Sequence, residues 1–325
     1  MDPLQRYRRV YVEITNVCNL HCSFCPTVER ADARVTPETF AAVMAEVAPV
    51  TDEVALHLMG EPLGHPELAA LLGVCERYAT PVALTTNGLL LTGERRDLAL
   101  QKIVRQVNIS VHSFAANFPG RDVTPYAERV LAFVRRATAT RPDLYINLRL
   151  WDLDAEGGSS PENAALRAFF GAAFGVDLAA ARLDPRRRKG LPLGGRVAAH
   201  VDSRFTWPSL DLPVRATEGS CLALRHQFGV LADGTVVPCC LDKEGRAALG
   251  NMREQPLADI LAGPRASAMR AGFARGELVE PLCQRCDFAK RFDRRGERQR
   301  AGAKPRVGIA ARASAASAIL AAPEG

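Results

Sequence analysis

Five apolar runs of strand length alternate with five helical stretches in the first half of the chain, and the strands carry polar residues in a regular phase. Strands are expected near 10–15, 53–59, 81–86, 106–112 and 145–151. Helices are expected near 37–48, 66–78, 94–102, 125–139 and 161–174, with a sixth strand around 196–201. This βαβα order calls for parallel strands joined by helical crossovers, in an open doubly wound sheet or a full or partial barrel. At or just beyond these strands a polar set alternates with an apolar one: Glu13 and Thr15; His57 and Glu61; Thr85 and Asn87; Asn108, Ser110 and His112; Asn147 and Arg149. A sheet covered by helices on both faces would be apolar throughout. One face therefore looks at something polar, as a curved sheet enclosing a ligand does. The competing account is a packed interior whose polar side chains bond one another.

With 325 residues the chain can bury a sizeable core and hold a large domain plus a small one. No apolar run approaches the roughly 20 residues that span a bilayer. The start, "MDPLQRYRRV", has no apolar segment of signal-peptide type. A cytoplasmic protein without a membrane partner is expected, and there nine cysteines serve better as metal ligands than as disulfides. The net charge of +6 is concentrated at Arg186-Arg187-Arg188-Lys189 and from Lys290 to Arg306. These read as a solvated loop and a basic tail. No interleaved aromatics or nucleic-acid module points to RNA or DNA.

After about residue 205 the pattern changes. "WPSLDLPV" (207–214) is a connector, and "QFGVLADGTVVPCC" (227–240) reads as a hairpin turning at Asp-Gly. Short helical segments follow near 256–273. The expected domains are 1–205, 206–290 and a tail, 291–325, biased to Arg, Ala and Ser and expected to be largely disordered.

The segment "EITNVCNLHCSFCP" places Cys18, Cys22 and Cys25 as Cys-x3-Cys-x2-Cys directly after the first strand. Structural zinc and most iron–sulfur sites take four protein ligands. A trio implies a remote fourth ligand, a zinc site completed by His21 or another cysteine, or a metal position left open. A second set, Cys221, Cys239, Cys283 and Cys286, can hold a closed four-cysteine site, and spacing alone does not separate zinc from iron–sulfur. Cys240 reads as a neighbour of that site, and Cys75, alone in a helical pattern, as core.

The cysteine trio, Phe24 before its last member, "GEP" at 60–62 after the second strand and "TNG" at 86–88 after the third together resemble the radical S-adenosylmethionine enzymes. The resemblance covers roughly 8–205. Cys221-x12-Gly234-x4-Cys239 followed by Cys283-x2-Cys286 resembles the SPASM/Twitch auxiliary-cluster domain, in its short form, since no cysteine follows Cys286. The resemblance implies an α/β fold, a partial (β/α)6 TIM-like barrel with a small C-terminal hairpin-plus-helix domain. It implies two [4Fe–4S] clusters, the first on Cys18, Cys22 and Cys25 with one iron open to S-adenosylmethionine, and the second on the four later cysteines. Reductive cleavage of S-adenosylmethionine would then yield a 5′-deoxyadenosyl radical.

By the same resemblance Gly60 and Glu61 match the motif that meets the methionyl amino group. Thr86, Asn87 and Ser110 lie at cofactor-binding strand ends, and the backbone around Phe24 meets the adenine. The fifth strand, "YINLRLWD", lacks the glycine-containing adenine motif and carries Arg149 and Trp151 instead. Arg149 is expected to pair with the cofactor carboxylate, to hold an anionic substrate or to act in proton removal. His112 is a candidate catalytic group, and both His57 and His112 read as substrate contacts or satisfied interior groups. The expected reaction is hydrogen abstraction followed by electron transfer to the auxiliary cluster, on a small molecule or a peptide, with a reductant such as flavodoxin or ferredoxin. No leader-peptide-binding domain is read ahead of the barrel, which favours a small metabolite. A peptide-modifying enzyme, or a non-catalytic electron carrier or scaffold, are the other readings.

Overall fold

The computed structural model describes residues 6–153, 161–178 and 190–288; the basic run at 186–189 and the tail from 291 lie outside them. One mixed sheet of ten strands runs through the described residues. Its strands are Arg9–Val12 (β1), Val54–Ala55 (β2), Val82–Thr86 (β3), Val104–Ile109 (β4), Tyr145–Leu153 (β5), Gly190–Gly194 (β6), Val197–Ser203 (β7), Gln227–Val230 (β8), Thr235–Val237 (β9) and Gly250–Asn251 (β10). Their order is β10-β9-β8-β1-β2-β3-β4-β5-β7-β6. From β8 to β7 every neighbour is parallel, while β6, β9 and β10 pair antiparallel.

The crossover helices are Pro37–Val47 (α1), Leu68–Arg77 (α2), Gly93–Ala99 (α3), His112–Asn117 (α4), Thr124–Thr140 (α5) and Ala164–Phe174 (α6). α1 shows why they form. Thr36 caps its start by accepting from the Thr39 amide, Pro37 sits in the first turn, and Phe40, Val43, Met44 and Val47 bury one stripe. α6 stops at Gly175, which adopts φ +64. Cys75 lies fully buried in α2, as core.

The expected strands and helices are all present to within a few residues of their bounds, and the hairpin turns at Asp233-Gly234, with Gly234 at φ +90. Two features were not foreseen. β6 folds back on β7, and α4 occupies what read as the end of the fourth strand. The second segment also extends the barrel sheet, because β8 lies parallel against β1 along its whole length. The chain therefore crosses from β7 at one side to β8 beside β1, after which come Leu257–Ala262 (α7), Pro264–Arg275 (α8) and Pro281–Gln284 (α9).

Both accounts of the polar strand phase hold, at different depths. Across β3, β4 and β5 the paired residues Thr85, Asn108 and Asn147 form a self-satisfied ladder. Asn147 donates to Asn108 Oδ1 at 2.9 Å, and Asn108 donates to Thr85 Oγ1 at 3.2 Å. The polar groups left for other work lie further along, at Asn87, Ser110, His112 and Arg149.

Candidate active site

The cysteine loop follows β1 and is tied down at both ends. Thr15 Oγ1 donates to Ala33 O at 2.9 Å and accepts from the Val17 amide; Asn16 donates to Ala31 O and accepts from the Ala33 amide, each at 2.8 Å. Glu13 is fully buried, paired with Arg30 at 2.8 Å, and accepts from the amides of Met59 and Ala232. One carboxylate thus joins the loop, the end of β2 and the hairpin turn.

"GEP" packs directly on this loop. A Cβ on Gly60 would lie 2.3 Å from Thr15 O, and Gly60 holds φ +75, so only glycine lets the backbones approach. The Glu61 amide donates to Val17 O at 2.9 Å. Its buried carboxylate accepts from Leu63 N at 3.1 Å and Asn87 N at 2.7 Å, bracing the "GEP" and "TNG" loops together. Burial pushes its pKa up to about 7 against those two donors. Thr86 Oγ1 accepts from Gly88 N, while Ser110 donates its amide to Thr86 O at 2.8 Å and sits half-buried at the end of β4.

Two amide side chains reach the cysteine sulfurs. Asn117, in α4, donates to Cys22 Sγ at 3.0 Å and accepts from the His21 amide at 2.8 Å. Asn87 donates to Asn19 Oδ1 at 2.7 Å and approaches Cys18 Sγ at 3.9 Å. The Cys25 thiol, and then Asn117, stabilise the Cys22 thiolate and lower its pKa to about 7 against burial. The Cys25 thiol is pushed up chiefly by donating to Cys22. Nothing in the sequence marked Asn117 or Asn19, since each acts through a loop brought near only by the fold.

Behind the loop runs an aromatic wall. Phe24 meets His112 at 4.8 Å, His112 stacks on Trp151 at 5.2 Å, and Trp151 meets Phe205 at 5.5 Å. Phe205 contacts Trp207 of the connector and Phe288 beyond the last cysteine. His112 Nδ1 lies 2.8 Å from Arg149 O. A carbonyl can only accept, so Nδ1 carries the proton, and burial lowers the ring's pKa to about 3, which keeps it neutral. The Arg149 guanidinium lies 4.2 Å over the Trp151 ring, and Tyr11 and Cys240 complete this side of the interior.

Cys221, Cys239, Cys283 and Cys286 lie within electrostatic reach of one another between the hairpin and α9, although no three metal-ligating side chains among the described residues are drawn up at coordination spacing. Desolvation first, and then the proximity of Cys286 and Cys240, raises Cys221 to about 11; Cys239 and Cys283 are raised too, by desolvation first and with Cys221 adding to it. Neighbouring half-buried thiols favour ionisation only with a cation among them, so an all-sulfur set has the donor chemistry of an iron–sulfur cluster. Cys240 instead faces the Tyr11 hydroxyl. The loop trio fits a cluster too: three sulfurs on one loop, two of them approached by amide donors, and a neighbouring polar interior.

Residues 12–148 match the radical SAM superfamily, and residues 221–287 match SPASM, an iron–sulfur cluster-binding domain. A PqqA peptide cyclase of Streptomyces rochei is 30% identical over 132 residues, 39% of this chain and only 34% of that protein. A tungsten-containing aldehyde ferredoxin oxidoreductase cofactor-modifying protein of Pyrococcus furiosus is 22% identical over 87% of this chain and 90% of its own. Among solved structures, BtrN in complex with AdoMet and 2-DOIA superposes with a TM-score of 0.55 at 16% identity, covering 87% of this chain and 94% of that one. Streptococcus suis SuiB bound to precursor peptide SuiA gives 0.56 at 14%, covering 87% and 71%. These superpositions assign the sheet and its crossovers to a partial TIM-like barrel. The chain thus carries a radical SAM domain at 12–148 and a SPASM iron–sulfur domain at 221–287, and these two domains imply [4Fe–4S] clusters and S-adenosylmethionine as cofactors.

Proposed function

We propose that this chain is an oxidative radical SAM enzyme. It holds its substrate between the Cys18–Cys25 loop and the four-cysteine site, and it returns an electron to the second site after hydrogen abstraction. The observation that carries this reading is the aromatic row that links the two sites: the ring contacts from Phe24 through His112, Trp151 and Phe205 end at Phe288, two residues past Cys286. With its cofactors bound, the first site supplies a 5′-deoxyadenosyl radical by one-electron cleavage of S-adenosylmethionine, and the second supplies a one-electron acceptor.

The protein's own groups position and shield. Cys18, Cys22 and Cys25 are the ligands at the first site, and Asn117 and Asn87 orient their sulfurs. Gly60, Glu61, Thr86, Asn87 and Ser110 form the strand-end rim for the methionyl part, where Glu61 acts by holding two loops together. Phe24 and the neutral His112 ring present an apolar face to the adenine. Cys221, Cys239, Cys283 and Cys286 are the ligands at the second site. Phe205 and Trp207 cover the interior on the connector side, which keeps water from a reactive carbon.

A peptide substrate is the second reading. It is supported by the likeness to PqqA peptide cyclase and to SuiB, whose structure holds the peptide SuiA. The test is anaerobic reconstitution followed by chemical reduction. Roughly eight irons per chain, with formation of 5′-deoxyadenosine from S-adenosylmethionine, are expected. Stoichiometric zinc at the second site, or no 5′-deoxyadenosine, would contradict the proposal.

A further inference from the structure

The interior wall carries three buried nitrogen atoms without a hydrogen-bond partner: Nε of Arg149, Nε1 of Trp151 and Nδ1 of His57. They belong to one patch. Arg149 lies over Trp151, and the His57 ring meets Tyr11 edge to face at 5.6 Å, with Tyr11 and Arg149 both within electrostatic reach of each other. Arginine and tryptophan nitrogens only donate, and a neutral histidine can donate from either nitrogen. The patch is therefore rich in donors.

Arg149 is half-buried, with its Nε fully buried, and forms no ion pair among the described residues. Its polar surroundings are Tyr11, Cys240, Arg9 and, across the β5–β7 pairing, Asp202, which sits opposite Trp151. Arg9 is itself committed to Glu53. An unpaired buried guanidinium is costly, and a fold retains one at a site where an anion completes it. A planar fork matches a carboxylate best.

We propose that Arg149, flanked by Trp151 and His57, is the receptor for a carboxylate on the substrate. This rests on the reading of the interior as the substrate chamber, and it decides among the roles open to Arg149. A guanidinium stays protonated and is a poor base. The cofactor's own carboxylate belongs at the open iron beside Cys18, Cys22 and Cys25, whereas the polar groups that bear on Arg149 are Tyr11 on β1, Cys240 after the hairpin and Asp202 on β7. The substrate is thus an acid, either a small free carboxylate or a peptide with an acidic residue.

Equilibrium dialysis of the reconstituted protein, saturated with S-adenosylmethionine, tests this with two labelled acids and their neutral amides. The probes are glutarate against glutaramide, and N-acetyl-Gly-Glu-Gly-amide against its glutamine counterpart. An acid should be retained over its amide, Arg149→Met should weaken retention by about tenfold or more, and Arg149→Lys should restore part of it. Preference for the peptide or for glutarate names the source of the carboxylate. Equal retention of acid and amide, or no effect of Arg149→Met, would overturn the proposal. So would a loss of S-adenosylmethionine binding in Arg149→Met with acid retention intact, because it would assign Arg149 to the cofactor. Without added ligand, Arg149→Met should melt at or above the parent temperature, since it removes an unpaired charge; a clear drop would make Arg149 structural and overturn the assignment. Arg149-dependent acid binding without 5′-deoxyadenosine formation would keep the receptor and remove the proposed reaction.

Discussion

Cys18, Cys22 and Cys25 leave one loop at the end of β1, whereas Cys221, Cys239, Cys283 and Cys286 are gathered from the start of the SPASM segment, the end of the hairpin and the α9 turn. At the first site the sulfurs are partly open, with Cys25 exposed and amide side chains reaching Cys22 and Cys18. At the second all four are half-buried, and desolvation and then the neighbouring thiols raise the pKa of Cys221, Cys239 and Cys283. A loop that carries all three proposed ligands leaves the rest of the fold intact when it is emptied. A pocket closed by four cysteines from distant segments is part of what holds those segments together.

The contrast is broken or sharpened by four changes. Cys22→Ala should abolish 5′-deoxyadenosine formation while the melting temperature stays near that of the parent; Cys239→Ala should instead lower it sharply. Chromatographic assay beside thermal melting reads both, and a destabilised Cys22→Ala protein would erase the distinction. Next in size is Gly60→Ala, which places a methyl group against Thr15 O at a positive φ and should cost about 1–3 kcal/mol of strain. Loss of iron from the first site, with the second retained, is the expected result by iron analysis and Mössbauer spectroscopy.

Asn117→Ala removes the donor to Cys22 Sγ and the anchor of the His21 amide. Groups in this position change metal affinity or activity by about tenfold or more. The loss should appear in the cleavage rate and in the first cluster's potential, and not in the second's.

The sequence announced the strands and the crossover helices, because these depend on local periodicity. It did not announce that β8 would lie parallel to β1, since strand partnership across the 23 residues from 204 to 226 depends on which edge is free. Nor did it reveal that the Glu61 carboxylate is turned onto Leu63 N and Asn87 N, or that Glu13 joins three segments. Both carboxylates answer to backbone groups that meet only in the folded chain. His112 was marked as a polar strand-end residue and proved to be a neutral ring inside an aromatic stack.

A pH-dependent effect concerns Glu61. Its folded pKa of about 7 lies above the ordinary 4.5, so the protonated form is favoured on folding. That contribution is complete below about pH 4.5 and is lost as pH rises through 7, by about 3 kcal/mol at most. Cofactor-free protein should therefore melt lower at pH 8 than at pH 5 by more than Glu61→Gln does, and equal slopes would contradict it.

The central claim is that the second site receives the substrate's electron. Changing Cys283 and Cys286 together to Ala removes two of its ligands and none from the first site. With circular dichroism and gel filtration confirming a folded chain, the variant should still form 5′-deoxyadenosine, as it consumes S-adenosylmethionine, but release little or no oxidised product. A folded double variant that turned over substrate at the parental rate would contradict the account and leave the second site a structural staple.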